Sequence, residues 1–405
     1  MLKNQTLLFI HQNFPGQFKH LCRALLPDNT IYFITKPNAN RIPGVKLLTY
    51  TPHRKVKPDT HAYLRPVEDN VLHGQAVARI LLQLKQQGIR PDLIIGHSGW
   101  GETLFAKDIF PDVPLLSYFE FYFHANGADV NFDPEFASDA DIAFRLRLRN
   151  QVTLSCLEST DQGFAPTWWQ QSQVPKVFQP KMNVVHEGVD TVHLRADNEV
   201  GVAVSPELTL TAADKVVTYV ARNLEPYRGF HIFMRALPGI IEQNPDAHVI
   251  IVGGDGVSYG SKLSNGRTHK EEELAKFSGD QSRVHFMGRV DYGVFKKILQ
   301  ISKAHVYLTY PFVLSWSMLE AMSSQCLVIG SATPPVEEVI QNEVNGMLVN
   351  FFDHNALAAV VSDALAHPER YTEIRRTARQ TIVDHYDLNR VCLPRLKALL
   401  ASMIR

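Results

Sequence analysis

At 405 residues the chain is long for one hydrophobic core and sufficient for two domains. Apolar residues make up 45% of it, and 41 Lys+Arg balance 41 Asp+Glu, so no global field draws it to nucleic acid. The four cysteines (Cys22, Cys156, Cys326, Cys392) form no CxxC pair and no metal-ligand spacing is present, which suits reduced, buried thiols in a cytoplasm.

The opening MLKNQTLLFIHQNFPG holds an apolar run too short and too soon interrupted for a signal peptide, and it reads as a first buried strand. Further strands are expected at 30–35, 45–50, 92–97, 114–119 and 163–166, with amphipathic helical patterns at 67–87 and 140–159 between them. The segment 184–190 ends this first half. Residues 199–210 are poorly periodic, so a linker is expected from about 195 to 205. The alternation then restarts, with strands expected at 216–221, 248–253, 284–288, 305–310, 326–330 and 347–350. Such alternation implies an α/β protein with two doubly wound, Rossmann-like parallel sheets, here divided as 1–198, 199–386 and a helical tail 387–405. No run approaches the roughly 20 apolar residues of a membrane span. A cytoplasmic protein is expected, with peripheral contact to a membrane face left open by the basic stretch Arg54–Lys57.

Chemistry-bearing residues gather after the expected strands, at the edge where open parallel sheets receive ligands. Arg222 and Arg228 flank the loop after 216–221, and guanidinium donors match phosphate oxygens in bidentate fashion. Glu320 falls on the first turns of a helix and reads either as an ordinary helix glutamate or as an acceptor for a ribose diol. In HQNFPGQF (11–18), Gly16 permits close backbone approach before a helix starts, or is a plain turn glycine. Glu120 and His124 follow the strand at 114–119; a glutamate there can accept an acceptor's proton and a histidine can donate to a sugar hydroxyl. Gly253-Gly-Asp-Gly256 is a strand exit that lets backbone approach a ligand. His53, His61, His73 and His97 lack ligand spacing and read as satisfied polar residues.

Arg222, Arg228, Gly253–Gly256, Leu319–Met322 (LEAM) and Asn345–Val349 together resemble the carboxyl-terminal half of the family 4 retaining glycosyltransferases of the two-domain GT-B fold. HQNFPGQF and PFVLSWS resemble a bacterial subgroup of that family, and the likeness runs along nearly the whole chain. The resemblance implies two domains facing across a cleft, with the tail helix, about 388–403, crossing back to the first domain. It implies a nucleoside diphosphate sugar, UDP- or GDP-linked, as donor, with no cofactor and no metal. Arg222 and Arg228 would neutralise the diphosphate, Arg228 standing where the family has a lysine, with Glu320 on the ribose and Gly288–Arg289 at the nucleobase. Leu319, Ser315 and Trp316 would line the donor side, Trp316 being alternatively a core anchor. Gly16 and His124, with Glu120 as the alternative to His124, would face the reaction centre from the first domain. Glycan, glycolipid or protein acceptors of surface polysaccharide assembly are implied as partners.

The chain also departs from the family pattern. Two glutamates with seven residues between them normally precede Ala-Met. Here the second is Glu320, but Phe312 stands at the first, and Val313 and Ser315 occupy glycine positions. Phe312 cannot bond sugar hydroxyls. That departure keeps three alternatives open: a GT-B epimerase, a glycosyl phosphorylase, and a non-catalytic nucleotide-sugar-binding protein.

Overall fold

The computed structural model describes residues 2–404. The chain divides into two compact units. The first holds the stretch up to Asn131, Ala137–Gly188 and the chain from Leu388 onward; the second holds Phe132–Phe136 and Val189–Asp387.

The first unit is built on seven parallel strands: β1 (Thr6–Ile10), β2 (Thr30–Thr35), β3 (Lys46–Thr49), β4 (Leu93–His97), β5 (Leu115–Tyr118), β6 (Gln162–Ala165) and β7 (Met182–Val184), in the order β3-β2-β1-β4-β5-β6-β7. Alternate residues of β1 point to opposite faces of the sheet. Leu7 and Phe9 enter a core with Phe18, Leu396 and Leu400; Leu8 and Ile10 enter another with Val77 and Leu81. Both faces are thus covered, which is why these strands read as continuous apolar runs. The terminal helix Leu393–Met403 is part of the first core, its Leu396 and Leu400 almost fully buried. At roughly 1.5–3 kcal/mol per buried leucine, those two side chains suffice to anchor it.

The second unit begins with an antiparallel pair, β8 (Gly201–Ala203) and β9 (Thr209–Thr211). This corrects the expected linker: Val202 and Leu210 are buried beside Val216 and Ile250. One inward residue per strand is too little for periodicity to reveal. Six parallel strands follow: β10 (Lys215–Asn223), β11 (Ala247–Gly254), β12 (Val284–Gly288), β13 (Ala304–Tyr307), β14 (Leu327–Ser331) and β15 (Met347–Val349), in the order β12-β11-β10-β13-β14-β15. The architecture is α/β with two parallel-sheet, Rossmann-like units. Among the described residues no helix is long and apolar enough to cross a membrane.

In each sheet the strand order reverses once, between β1 and β4 and between β10 and β13. Ligands of open α/β sheets bind outside the carboxyl ends of the strands at such a point. The polar side chains described next lie there.

Candidate functional sites

In the second unit, β10 runs parallel to β11, but their register slips between Val220 and Asn223. The slip places Arg222 in the exposed set and buries Asn223. A short turn then leads to Gly229, which adopts φ +64° and starts the helix Phe230–Gln243. A Cβ at Gly229 would lie 2.4 Å from that of Leu308, so glycine is required both for conformation and for close approach.

That turn buries Arg228, which is 7% exposed. Its Nη1 donates to the Tyr307 hydroxyl at 3.1 Å, Thr309 Oγ1 at 2.8 Å and the Val313 carbonyl at 2.9 Å. Among the described residues it forms no ion pair with a carboxylate. A buried cation held only by neutral acceptors is costly unless an anion completes it. Arg222, with no ion pair either among the described residues, stands six positions before it at the same strand exit.

Glu320 lies on the helix Trp316–Ser323, which Ser315 caps, and its Oε1 accepts from the Tyr292 hydroxyl at 2.9 Å. Ser315 also gives its backbone N–H to the Tyr307 hydroxyl at 2.8 Å, so the helix start and Arg228 share one phenol. Leu319 is fully buried in the core, leaving its backbone alone for a ligand. Trp316 is 45% exposed and is therefore not a core anchor. Phe312 is buried, with ring centroids 5.5 Å from Tyr227 and 5.0 Å from Tyr259. The position that holds a glutamate in the family is filled here by an aromatic cluster.

At β12, Gly288 turns with φ +62° and Arg289 Nη2 donates to Asn223 Oδ1 at 3.0 Å. A Cβ at Gly254 would lie 2.6 Å from Arg289 Nε and 2.7 Å from Asn223 Oδ1. The glycine that ends β11 thus makes room for side chains of this unit. Sequence reasoning missed Asn223 and Glu225; the only signal was their position in the ARNLEPYRG turn between the two arginines.

Asp133, Glu135 and His231 bring metal-ligand atoms within 4.8 Å of one another. The carboxylates are already engaged: Asp133 accepts from Tyr310 at 2.8 Å and lies 2.9 Å from His231 Nε2, while Arg235 Nη2 donates to Glu135 at 2.7 Å.

In the first unit, His11 follows β1 and is buried. Its Nδ1 accepts from Asn13 N at 2.8 Å, so Nε2 carries the proton and donates to Gln17 Oε1 at 2.7 Å. Burial lowers its pKa to about 4, keeping the ring neutral. Gly16, at φ +52°, is where it is because a Cβ there would sit 2.6 Å from the His11 ring. His97, at the end of β4, stacks on Trp100 at 4.1 Å and lies 4.9 Å from His11. Its Nδ1 accepts from Gly99 N, which leaves the proton on Nε2, the nitrogen that lies 3.8 Å from Glu120 Oε2. Gln17 Nε2 reaches Glu120 Oε1 at 3.5 Å, and the buried Gln170 amide holds the Glu120 carbonyl at 2.6 Å. Gly16 and Glu120 therefore share one cluster. His124 is placed elsewhere in the hydrogen-bond pattern, its Nε2 at 2.8 Å from the Gln173 carbonyl. His97, expected as an ordinary satisfied histidine, instead belongs to the cluster: among the described residues its Nε2 has no hydrogen-bond partner.

Comparison with known proteins bears on the family and the fold. The Glycosyl transferase family 4 group matches residues 27–194, and Glycosyl transferases group 1 matches residues 205–381. Spore coat protein SA of Bacillus subtilis is 27% identical over 218 residues, 52% of this chain and 56% of that protein. A phosphatidyl-myo-inositol mannosyltransferase of Mycolicibacterium smegmatis is 28% identical over 153 residues, 36% of this chain and 35% of that protein. The matches thus span about half and about a third of these relatives' own lengths. Among solved structures, sucrose-phosphate synthase from Thermosynechococcus elongatus superposes with a TM-score of 0.76 at 16% identity, covering 99% of both chains. Anabaena HepE in complex with UDP-glucose does so with a TM-score of 0.67 at 16% identity, covering 98% of this chain and 100% of that one. With its two halves matched in order and its fold shared along nearly its whole length, the chain belongs to the family 4, group 1 glycosyltransferases of the GT-B fold.

Proposed function

We propose that the chain moves a sugar, with retention, from a nucleoside diphosphate donor to an acceptor hydroxyl, in the assembly of a surface polysaccharide or glycoconjugate. The observation that carries this reading is Arg228, a buried guanidinium at the switch point of the second sheet, held by Tyr307, Thr309 and Val313 and lacking a carboxylate partner among the described residues. A diphosphate supplies the missing anion. Arg222 adds a second positive charge at the same strand exit, so the developing charge on the leaving group is stabilised by preorganised donors. Glu320 takes the ribose hydroxyls, and the backbone at Gly288–Arg289 meets the base edge. The UDP-glucose held by HepE, a chain of the same fold, supports a nucleotide-sugar donor.

On the first unit, Glu120 is the group best placed to take the acceptor's proton. Gln17 Nε2 reaches its carboxylate at 3.5 Å, and His97, kept neutral by burial, lies beside it at 3.8 Å without adding charge. His124 is left as an orienting residue. Retention follows if the acceptor attacks from the face the diphosphate leaves.

The test is a thermal-shift screen of UDP- and GDP-sugars, followed by transfer assays and determination of the product anomer. A ligand that binds only the folded state raises its melting temperature. Arg228→Ala should abolish the shift. Donor turnover at the wild-type rate in that variant would sink the proposal. A donor shift without transfer or hydrolysis for any acceptor would favour a binding protein instead.

A further inference from the structure

Glu225 is completely buried and lies three residues from each clamp arginine, yet it pairs with neither. Its carboxylate accepts three successive backbone N–H groups from the loop after β11: Ser258 at 2.9 Å on Oε1, Tyr259 at 3.1 Å and Gly260 at 2.9 Å on Oε2. Consecutive N–H groups converging on one anion form a nest, and charge-assisted bonds of this kind are the strong ones. Asn223 pulls on the same loop: its Nδ2 donates to Ser258 Oγ at 2.6 Å while its Oδ1 holds Arg289. The glycine pattern obeys the same geometry. A Cβ at Gly260 would meet Glu225 Oε2 at 3.4 Å and the Tyr227 ring at 3.5 Å, and one at Gly254 would strike Asn223 and Arg289.

The loop is therefore pinned from below at two points, and what it presents is Tyr259. The Arg228 guanidinium carbon lies 5.2 Å from the centre of that ring, and the Phe312 ring meets it edge-on at 5.0 Å between centroids. Tyr259 itself is only partly buried, so part of its side chain stays open to a ligand.

We infer that Asn223 and Glu225 are positioning residues that hold Tyr259 beside Arg228 as a donor-binding side chain, so that the transferred sugar meets an aromatic wall where Phe312 has removed a carboxylate. This rests on Arg228 being the diphosphate clamp. An aromatic wall favours a donor sugar presenting C–H groups on one face, stacked on the ring, over one recognised through a bidentate carboxylate.

The experiment measures binding of UDP, GDP, UDP-glucose and GDP-mannose by calorimetry to wild type, Arg228→Ala, Glu225→Gln, Tyr259→Ala and Tyr259→Phe. Amide exchange at residues 258–260 is followed alongside. Expected is loss of all binding in Arg228→Ala. In Glu225→Gln and Tyr259→Ala, affinity for the sugar nucleotide that wild type binds should fall about tenfold. Affinity for the matching nucleotide alone should change less than threefold, and Tyr259→Phe should retain most of the sugar preference. Glu225→Gln should also speed exchange at 258–260. Tyr259→Ala removes a partly buried loop side chain and keeps the question answerable should Glu225→Gln not fold. If Arg228→Ala binds like wild type, or wild type binds none of the probes, the donor reading fails. If Arg228→Ala loses binding while Tyr259→Ala keeps the wild-type sugar preference, the aromatic wall fails and the donor reading stands.

Discussion

The Tyr310 hydroxyl donates to the Asp133 carboxylate at 2.8 Å, although 177 positions separate them in sequence. Asp133 belongs to Phe132–Phe136, five residues that lie between two stretches of the first unit yet form part of the second. Each end is seated in aromatic company: Phe132 against Tyr310, Phe351 and Phe352, and Phe136 against His231 and His269. His231 and Arg235, one helical turn apart, face Asp133 and Glu135. Burial pushes the Asp133 carboxyl up, but the nearby His231 and the Tyr310 hydroxyl together hold it below its ordinary range. Asp133→Asn should cost about 2–4 kcal/mol because it leaves buried donors without a charged acceptor, and Tyr310→Phe about 1–2. A double-mutant cycle in urea should give a coupling above about 1 kcal/mol. Additive losses would show that the pair contributes nothing as a pair.

Acid should unfold the protein early. Burial takes His11 to about 4 and His305 to about 3, while an unfolded histidine titrates near 6.5. Between those values the unfolded chain binds protons that the native chain refuses. Stability is therefore full above about pH 6.5 and falls as pH drops toward 4, by up to on the order of 3 kcal/mol per histidine. Buried His97 adds to the same window. Melting curves at pH 7.5, 6 and 5 check this, and a melting temperature constant across that range would contradict it.

Both parallel sheets were legible because strands covered on two faces read as apolar runs, and the strand exits so located are what drew attention to Arg222, Arg228 and Glu320. What escaped was anything set by packing between distant segments. Glu225 looks like any turn glutamate until the backbone of 258–260 closes over it. His97 has no ligand spacing in sequence, and only the adjacency of β1 and β4 brings it to His11. Phe132–Phe136 lies outside every predicted element, so no periodicity could assign it to the second unit.

Gly16→Ala separates two roles for one glycine. If Gly16 served only as a turn residue, alanine at φ +52° would cost about 1–2 kcal/mol of backbone strain. The added Cβ would also lie 2.6 Å from the His11 ring, which is itself buried and bonded on both nitrogens. The expected loss is therefore larger, about 3 kcal/mol, with His11 displaced from Gln17. The Nε2–H resonance of His11, visible in wild type through its bond to Gln17, should shift or vanish in the variant. An unchanged resonance with a loss near 1 kcal/mol would leave strain as the whole effect.

Glu320 offers the cleanest separation of binding from folding. It is half-buried at the surface of its helix, so Glu320→Gln should shift the melting temperature little. A ribose diol donates two hydrogen bonds to a carboxylate, and those to a charged acceptor are worth about 1.5–3 kcal/mol each against about 1 for a neutral amide. The variant should therefore bind the nucleoside diphosphate roughly tenfold more weakly. The sharper readout is the ligand: wild type should prefer UDP or GDP over the 2′-deoxy form, and Glu320→Gln should lose most of that preference. Tyr292→Phe, which removes the hydroxyl bonded to Glu320 Oε1, should weaken both forms alike by loosening the carboxylate. Equal discrimination against the deoxy nucleotide in wild type and Glu320→Gln would move the ribose away from Glu320 and leave Arg228 as the only fixed point of the donor site.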